Sequence, residues 1–288
     1  MDIKKIPVSV IGPGSQPVGE DGLALSYIEM PSDMATFAQP DVSEPDAVHG
    51  LVGAREAMQW LKRALAGYEP GCGPMLANLS ALDEKNRELV NQILGEGEVS
   101  ISYDGAIRAR SQESVLAGVW RTMYLDEDDK VSSDILEVAD VPHTVRMPDS
   151  LARSVNADKT DVPATLNNAL AILVELEARW TAFVEQGVPH AINLTLLPLS
   201  EEELAFIDER LGRGPIDTLS RAYGKCQVSS TLTPNVWWVR YFNSMGTLIL
   251  NTIELVEVPE AIRAAPEDLD DSAKRLDDIL TPYWSDVA

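Results

Sequence analysis

Cysteine is scarce. The 288 residues hold two, Cys72 and Cys226, and neither belongs to a Cys-x-x-Cys pair. A structural zinc site or an iron–sulfur cluster held by one chain takes about four ligands. Histidine adds only His49, His143 and His190, none at finger spacing from a cysteine. The two thiols therefore read as free cysteines in a reducing compartment, and no metal or cofactor is expected. No apolar run approaches the roughly 20 residues that cross a bilayer. Met1-Asp2-Ile3-Lys4-Lys5 lacks the apolar stretch of a signal peptide, so a cytoplasmic location is expected. Positive charge is short too: 23 Lys and Arg stand against 46 Asp and Glu, a net charge of −23. Such an excess repels nucleic-acid phosphates and anionic lipid, and it suits partners that carry basic segments.

Catalytic signatures are also missing. There is no Gly-x-Ser-x-Gly elbow. His49, His143 and His190 lie beside Gly50, Pro142 and Pro189, which reads as three solvated loop histidines. Gly12-Pro13-Gly14-Ser15-Gln16 follows a short strand-like run, but it lacks the Gly-Lys-Ser/Thr ending of a phosphate loop, and Pro13 removes an amide that such a nest would use. Asp126-Glu127-Asp128-Asp129 lacks the central glycine and distal glutamate of a calcium loop. It reads as a solvated turn, with an acidic docking point as the other reading. The chain is not expected to be an enzyme.

What is present is a real core: 45% of residues are hydrophobic, too many for a disordered chain. Residues 1–50 stand apart, because six prolines from Pro7 to Pro45, with Gly12, Gly14, Gly19 and Gly22 among them, leave no room for a long helix. They read as an extended arm.

The remainder contains an internal repeat. Shifting the sequence by 117 residues lays 79–146 on 196–263 and gives 13 identities in 68 positions, where chance supplies about four. The identities include Trp120/Trp237, Tyr124/Tyr241, Glu137/Glu254 and Arg146/Arg263, and conservative pairs such as Asp140/Glu257 lie between them. Each unit reads alike. A long amphipathic helix comes first, over 54–68 with Met58, Leu61 and Leu65 on one stripe, and over 164–186 with Leu166, Leu170, Leu173, Leu176, Trp180 and Phe183. A short strand follows, over 74–79 and 190–197. A second helix starts at Asp83 and at Ser200, the latter in a capping box with Glu203, and stops at Gly95 and Gly212. A β-meander closes the unit, with clear strands over 236–242 and 248–258 and a turn at Asn243-Ser244-Met245-Gly246. Pro142 and Pro259 end the ladders, and short helices are expected over 148–155 and 266–280. The expected fold is α+β: two duplicated units, each with helices packed on a small, mostly antiparallel meander. The divisions are an arm over 1–50, a first unit over 51–146, a linker over 147–163 and a second unit over 164–288.

Trp237 and Trp238 occupy adjacent strand positions and must face opposite sides of the sheet. Trp237, partner of Trp120 in the repeat, is expected in the core. Trp238 is either an exposed anchor for a partner or covered by a helix.

Several segments resemble one family. They are Val10-Ile11-Gly12-Pro13-Gly14-Ser15-Gln16, Leu94-Gly95-Glu96-Gly97-Glu98-Val99 and Glu113-Ser114-Val115-Leu116-Ala117-Gly118-Val119-Trp120, and above all Arg221-Ala222-Tyr223-Gly224-Lys225-Cys226 leading into 235–252. Over nearly the whole chain the sequence is similar to the HupH/HyaF family of hydrogenase expression and formation proteins. The resemblance implies an accessory protein for maturation of an uptake [NiFe]-hydrogenase. It implies a dedicated chaperone, without turnover, of the iron–sulfur small subunit precursor before export through the twin-arginine route. Other hydrogenase accessory proteins are further expected partners. The alternatives are an iron–sulfur carrier in which Cys226 of two chains shares a cluster, and a maturation enzyme using the cleft between the units. The partner surface is expected where the resemblance is densest, at Tyr223, Cys226, Asn235, Trp238, Arg240 and Asn243, with plain core packing as the rival explanation. No catalytic residues are expected.

Overall fold

Two amphipathic helices open the two halves of the molecule. In the first, α1 (Val52–Gly67), apolar residues recur every three or four positions, so Met58, Leu61 and Leu65 fall on one buried stripe. A computed structural model describes this chain over residues 48, 50–69, 71–147, 149, 151–160, 162–221 and 224–284. The expected arm lies almost wholly outside the described residues, as do the loop 12–16, His49 and Tyr223.

After α1 come β1 (Met75–Asn78) and α2 (Glu84–Leu94). Four strands follow: β2 (Val99–Asp104), β3 (Arg108–Glu113), β4 (Val119–Leu125) and β5 (Val131–Val138). The second half repeats this order with α3 (Asn167–Gln186), β6 (His190–Asn193) and α4 (Glu201–Leu211). Its strands are β7 (Arg213–Ser220), β8 (Lys225–Thr231), β9 (Val236–Phe242) and β10 (Leu248–Leu255). A last helix, α5, spans Pro266–Leu280. The caps are those the sequence announces. Asp83 accepts from the Asn86 amide, Ser200 and Glu203 form the reciprocal box, and Gly95 and Gly212 take positive φ of 55° and 66° at the helix ends.

The two expected small sheets are one. Among the described residues ten antiparallel strands run in the order β1-β5-β4-β3-β2-β7-β8-β9-β10-β6. The halves join through β2 and β7, where Ile101 faces Thr218, the residue 117 positions further on. About that pair the neighbours exchange, Ser100 with Leu219 and Ser102 with Asp217. The backbone ladder therefore has a local twofold at the join. Trp120 Nε1 donates to the Ala139 carbonyl and Trp237 Nε1 to that of Val256, again 117 residues apart.

Register assigns the faces. Directly opposed residues form a row from Trp238 through Ser229, Asp217, Ser102, Arg110 and Met123 to Asp134. This is the helix side. Among the described residues the helices cover its two ends: α1, α2 and α5 pack with Val119, Leu136 and Val138, while α3 and α4 pack with Val236, Trp238, Ile253 and Leu255. The opposite face carries a third cluster at the join, with Ile101, Tyr103, Trp120, Ile216, Val228, Trp237 and Val239.

Two expected elements differ. Residues 151–160 contain no helix; the chain leaves β5 through a 3-10 turn at His143–Arg146 and then runs irregularly, placing Val155 and Ala157 in the cluster under α3. Its counterpart α5 is a full helix because Leu269, Ser272, Leu276 and Leu280 keep helical spacing and bury against the first half. The strand expected over 190–197 ends at Asn193, whose side chain accepts from the Thr195 amide and starts a 3-10 turn over Leu194–Leu196.

Candidate functional site

The residues expected to form a partner surface fall on both sides of the sheet. Cys226 is buried on the face away from the helices, paired with Tyr241 across β8 and β9. Burial pushes its thiol up to about 11, against a lowering hydrogen bond with Tyr241. Tyr241 is itself pushed up to about 12 by burial. A thiol held this way is a poor thiolate donor. Trp238 is buried on the helix side, and its Nε1 donates to Asn251 Oδ1 at 2.6 Å. The Arg240 guanidinium lies 5.6 Å from the Trp238 ring. Asn243 shapes the β9–β10 turn by accepting from the Met245 and Thr247 amides at 2.9 Å each. Asn235 holds a left-handed φ of 65° at the start of β9.

Between the two helical clusters the middle strands turn polar side chains toward the helix side. They are Arg110 and Gln112 on β3, Ser102 on β2, Asp217 on β7 and Gln227 and Ser229 on β8, all half-buried. Ser229 Oγ donates to Asp217 Oδ1 at 2.7 Å, and burial raises that carboxyl despite the hydrogen bond. Arg110 pairs with Asp104 at 2.9 Å. Arg240 and Trp238 stand at the margin of this strip, because β9 is the next strand outward. The strip is a row of donors and acceptors set between apolar walls.

The other face carries two groups of ionisable residues. Glu137 is fully buried and accepts from both the His143 amide and His143 Nδ1 at 3.0 Å, while Tyr124 Oη lies 2.7 Å from His143 Nε2. The hydrogen bond and charge of Glu137 raise His143 above its usual value, and burial pushes Tyr124 up to about 12. His143 is thus no solvated loop histidine. Nor is His190, whose Nε2 lies 2.8 Å from Glu175 Oε1. The repeat contained the signal for the first of these: Tyr124/Tyr241 and Glu137/Glu254 are identical pairs on the same sheet face.

The second group is a crossed set of ion pairs. Arg146 grips Asp140 bidentately at 3.0 and 2.9 Å and reaches Glu257 at 3.2 Å, while Arg263 reaches back to Asp140 at 3.1 Å. Asp140/Glu257 and Arg146/Arg263 are repeat pairs, so each half's arginine binds the other half's acid. Burial pushes the Asp140 carboxyl up, but the hydrogen bonds and charges of Arg146 and Arg263 outweigh it and hold the group below the usual range. A depressed folded value means stability present above the unfolded value and lost as pH falls through the folded one. Asp140→Asn is accordingly expected to cost about 1–3 kcal/mol at neutral pH, with the gap to wild type closing at acid pH, below the usual carboxylate range. Urea titrations at both pH values check this, and a constant gap would refute the ionic account.

Beside this latch lies a cavity of about 540 Å³ lined by Arg146, Met147, Ala152, Asn235, Trp237 and Glu257 among others. Its position in the first half is filled. There Gly118, the repeat counterpart of Asn235, lies so close under Leu269 that an added Cβ would meet Leu269 Cδ2 at 2.2 Å. The counterpart of Leu269 is Ala152. No second α5-like helix stands over this position among the described residues. Among the described residues, no group of three or more His, Cys, Asp or Glu is arranged to hold a metal ion, and no helix is long and apolar enough to cross a membrane.

Comparison with known proteins gives one result throughout. The model of the HupH hydrogenase expression protein, C-terminal conserved region, matches twice, over residues 51–158 and 166–283. The hydrogenase expression/formation protein HoxQ of Cupriavidus necator is 40% identical over 96% of this chain and 96% of its own. HupQ of Azotobacter chroococcum, of the same description, is 42% identical over 93% of this chain and 94% of its own. HupH of Rhodobacter capsulatus is 37% identical over 96% of each chain.

Proposed function

The chain belongs to the HupH hydrogenase expression protein family, and from that premise we propose that it is an accessory protein in the formation of a [NiFe]-hydrogenase, acting in the cytoplasm as a chaperone of the iron–sulfur small subunit precursor before export. The observation that carries the accessory role is end-to-end similarity to proteins named for hydrogenase expression and formation, at about 40% identity over 96% of the chain. A binding role without turnover accounts for what the described residues offer: a wide sheet, a half-buried polar strip flanked by apolar clusters, and buried ionisable groups tied to one another. The net charge of −23 suits a partner segment rich in Lys and Arg. We read the two halves as copies of one unit, supported by the twofold register at β2 and β7 and the crossed arginine–acid pairs.

A second reading, an enzyme of maturation, draws on the cavity beside Arg146 and Glu257. The carrier reading is disfavoured by Cys226, whose thiol is buried and would need the sheet face to open before two chains could share a cluster. Anaerobic affinity purification of this chain from cells making the hydrogenase tests the proposal. The small subunit precursor is expected in near-stoichiometric amount, and recovery of neither hydrogenase subunit would refute it.

A further inference from the structure

At one corner of the sheet the second half exposes a larger apolar patch than the first half does at the matching corner. Leu196 is 79% exposed, Met245 86% and Ile249 57%, and Leu197 and Leu248 are exposed beside them. They form one surface. The 3-10 turn carrying Leu196 packs along β10, where Thr195 Oγ1 accepts from the Asn251 amide at 2.7 Å. Leu248 and Ile249 begin β10, and Met245 sits in the turn that leads into it. β6 covers β10 only from Thr252 to Leu255, so among the described residues the outer edge of β10 before Asn251 has no strand beside it.

The first half shows that the fold does not require these residues. At the shifted positions it has Asp128 for Met245, Ser132 for Ile249 and Ser80 for Leu197, while Leu248 is matched by an exposed Val131. Leu79, counterpart of Leu196, is 2% exposed beneath the first half's helices. The register irregularity that sets out Ile249 recurs at Ser132, so the backbone there is equivalent. One backbone thus carries a mostly polar corner in one half, with Val131 exposed in it, and an apolar corner in the other. Apolar side chains on open surface cost solubility and mark contact sites.

Charge identifies the occupant. The two stretches that build the corner, 180–209 and 241–262, contain nine acidic residues and no lysine or arginine. Glu201 and Glu202 are exposed in the first turn of α4, a few residues beyond Leu197. Arg240 and Lys225 stand one and two strands in from this edge, and Arg179, Arg210 and Arg263 lie just outside the two stretches. The balance is still negative, and with a chain charge of −23 it disfavours a second copy and favours a cationic partner. A linear patch along an open strand edge suits an extended segment.

We propose that the corner formed by Leu196, Leu197, Met245, Leu248 and Ile249 docks an extended segment of a partner polypeptide that carries both apolar and basic side chains. This rests on the accessory-protein reading for the identity of the partner, the hydrogenase small subunit precursor. The test uses the first half as template. The triple variant Leu197→Ser, Met245→Asp, Ile249→Ser gives the second corner the side chains its counterpart already tolerates. Its melting temperature is expected to stay within about 2 °C of wild type, because the replaced groups are exposed. Its retention of the small subunit precursor should fall at least tenfold, and wild-type retention should fall as salt rises. Met245→Asp alone serves if the triple variant folds poorly. A labelled Arg-Val-Arg-Val-Arg-Val-Arg peptide should bind wild type, not the variant, and its Glu-for-Arg version should bind neither. If wild type and variant retain the precursor equally, the corner is wrong while the accessory reading stands. If wild type retains no precursor but binds the basic peptide, the small-subunit chaperone reading fails and the corner stands. If it binds neither, both fail. A wild-type dimer that the variant abolishes would make the occupant a second copy and overturn the proposal.

Discussion

Trp238→Ala is expected to lower stability by about 3–5 kcal/mol, the usual cost of removing a buried aromatic side chain. The ring is only 7% exposed and packs with Leu173, Leu176, Ile253 and Leu255 beneath α3. Truncation opens a cavity and also strips Asn251, itself buried, of the indole donor to its Oδ1. An unmet buried acceptor adds to the packing loss. Urea denaturation followed by far-UV circular dichroism gives the number. The result also settles the residue's role: weakened partner retention in a variant as stable as wild type would return Trp238 to an interface, while a large loss of stability assigns it to the core. Arg240, stacked beside it, is only partly buried at the margin of the polar strip.

Glu113→Gln is expected to change how stability depends on pH. Glu113 closes β3, is 8% exposed, and accepts from the Gly118 amide at 3.3 Å. Burial raises its carboxyl to about 7, with the charges of Glu98 and Asp268 adding to the rise and backbone hydrogen bonds opposing it. A folded value above the unfolded one means that the folded state keeps a proton the unfolded state has lost. Stability from this group is therefore complete below about pH 4.5 and falls away as pH rises through about 7. The full difference is on the order of 3 kcal/mol. Glutamine stays neutral, so the variant should approach wild type near pH 5 and exceed it by about 2–3 kcal/mol at pH 8. His143, Asp217 and Glu254 are raised too and tilt wild type and variant alike, so the difference between the two proteins is the quantity to measure. Parallel pH profiles would show that Glu113 ionises as an exposed glutamate does.

The parts legible in the sequence were those whose signal is local. Met58, Leu61 and Leu65 mark the stripe of α1; Ser200 with Glu203, and Gly95 and Gly212, mark helix ends by hydrogen-bonding and φ requirements confined to a few residues. The clear strands β9 and β10 are rich in β-branched and aromatic residues. β2, β3, β7 and β8 carried no such mark: Arg108-Ala109-Arg110-Ser111-Gln112-Glu113 and Lys225-Cys226-Gln227-Val228-Ser229-Ser230 alternate polar with small or apolar residues. Their helix-side residues lie where, among the described residues, no helix covers the sheet, so no apolar helix face selects for apolar character there. Those unmarked strands are the ones that fuse the halves and carry the polar strip.

The candidate surface divides in the same way. That Trp237 and Trp238 face opposite sides follows from the two-residue period of a strand. Which side is covered depends on α3, whose contact with Trp238 spans some sixty residues of chain. His143 looked like a loop residue because Pro142 precedes it, and only the sheet brings Tyr124 and Glu137 to its two ring nitrogens. The sequence alone determined the family, the charge, the helix ends and the 117-residue period, since each is written in residue types at short or fixed spacing. Tertiary structure alone decided that both halves share one sheet, that Trp238 is covered and that the two arginine–acid pairs cross. Those outcomes arise from side chains brought together across the chain, and burial of a side chain is a property of what folds over it.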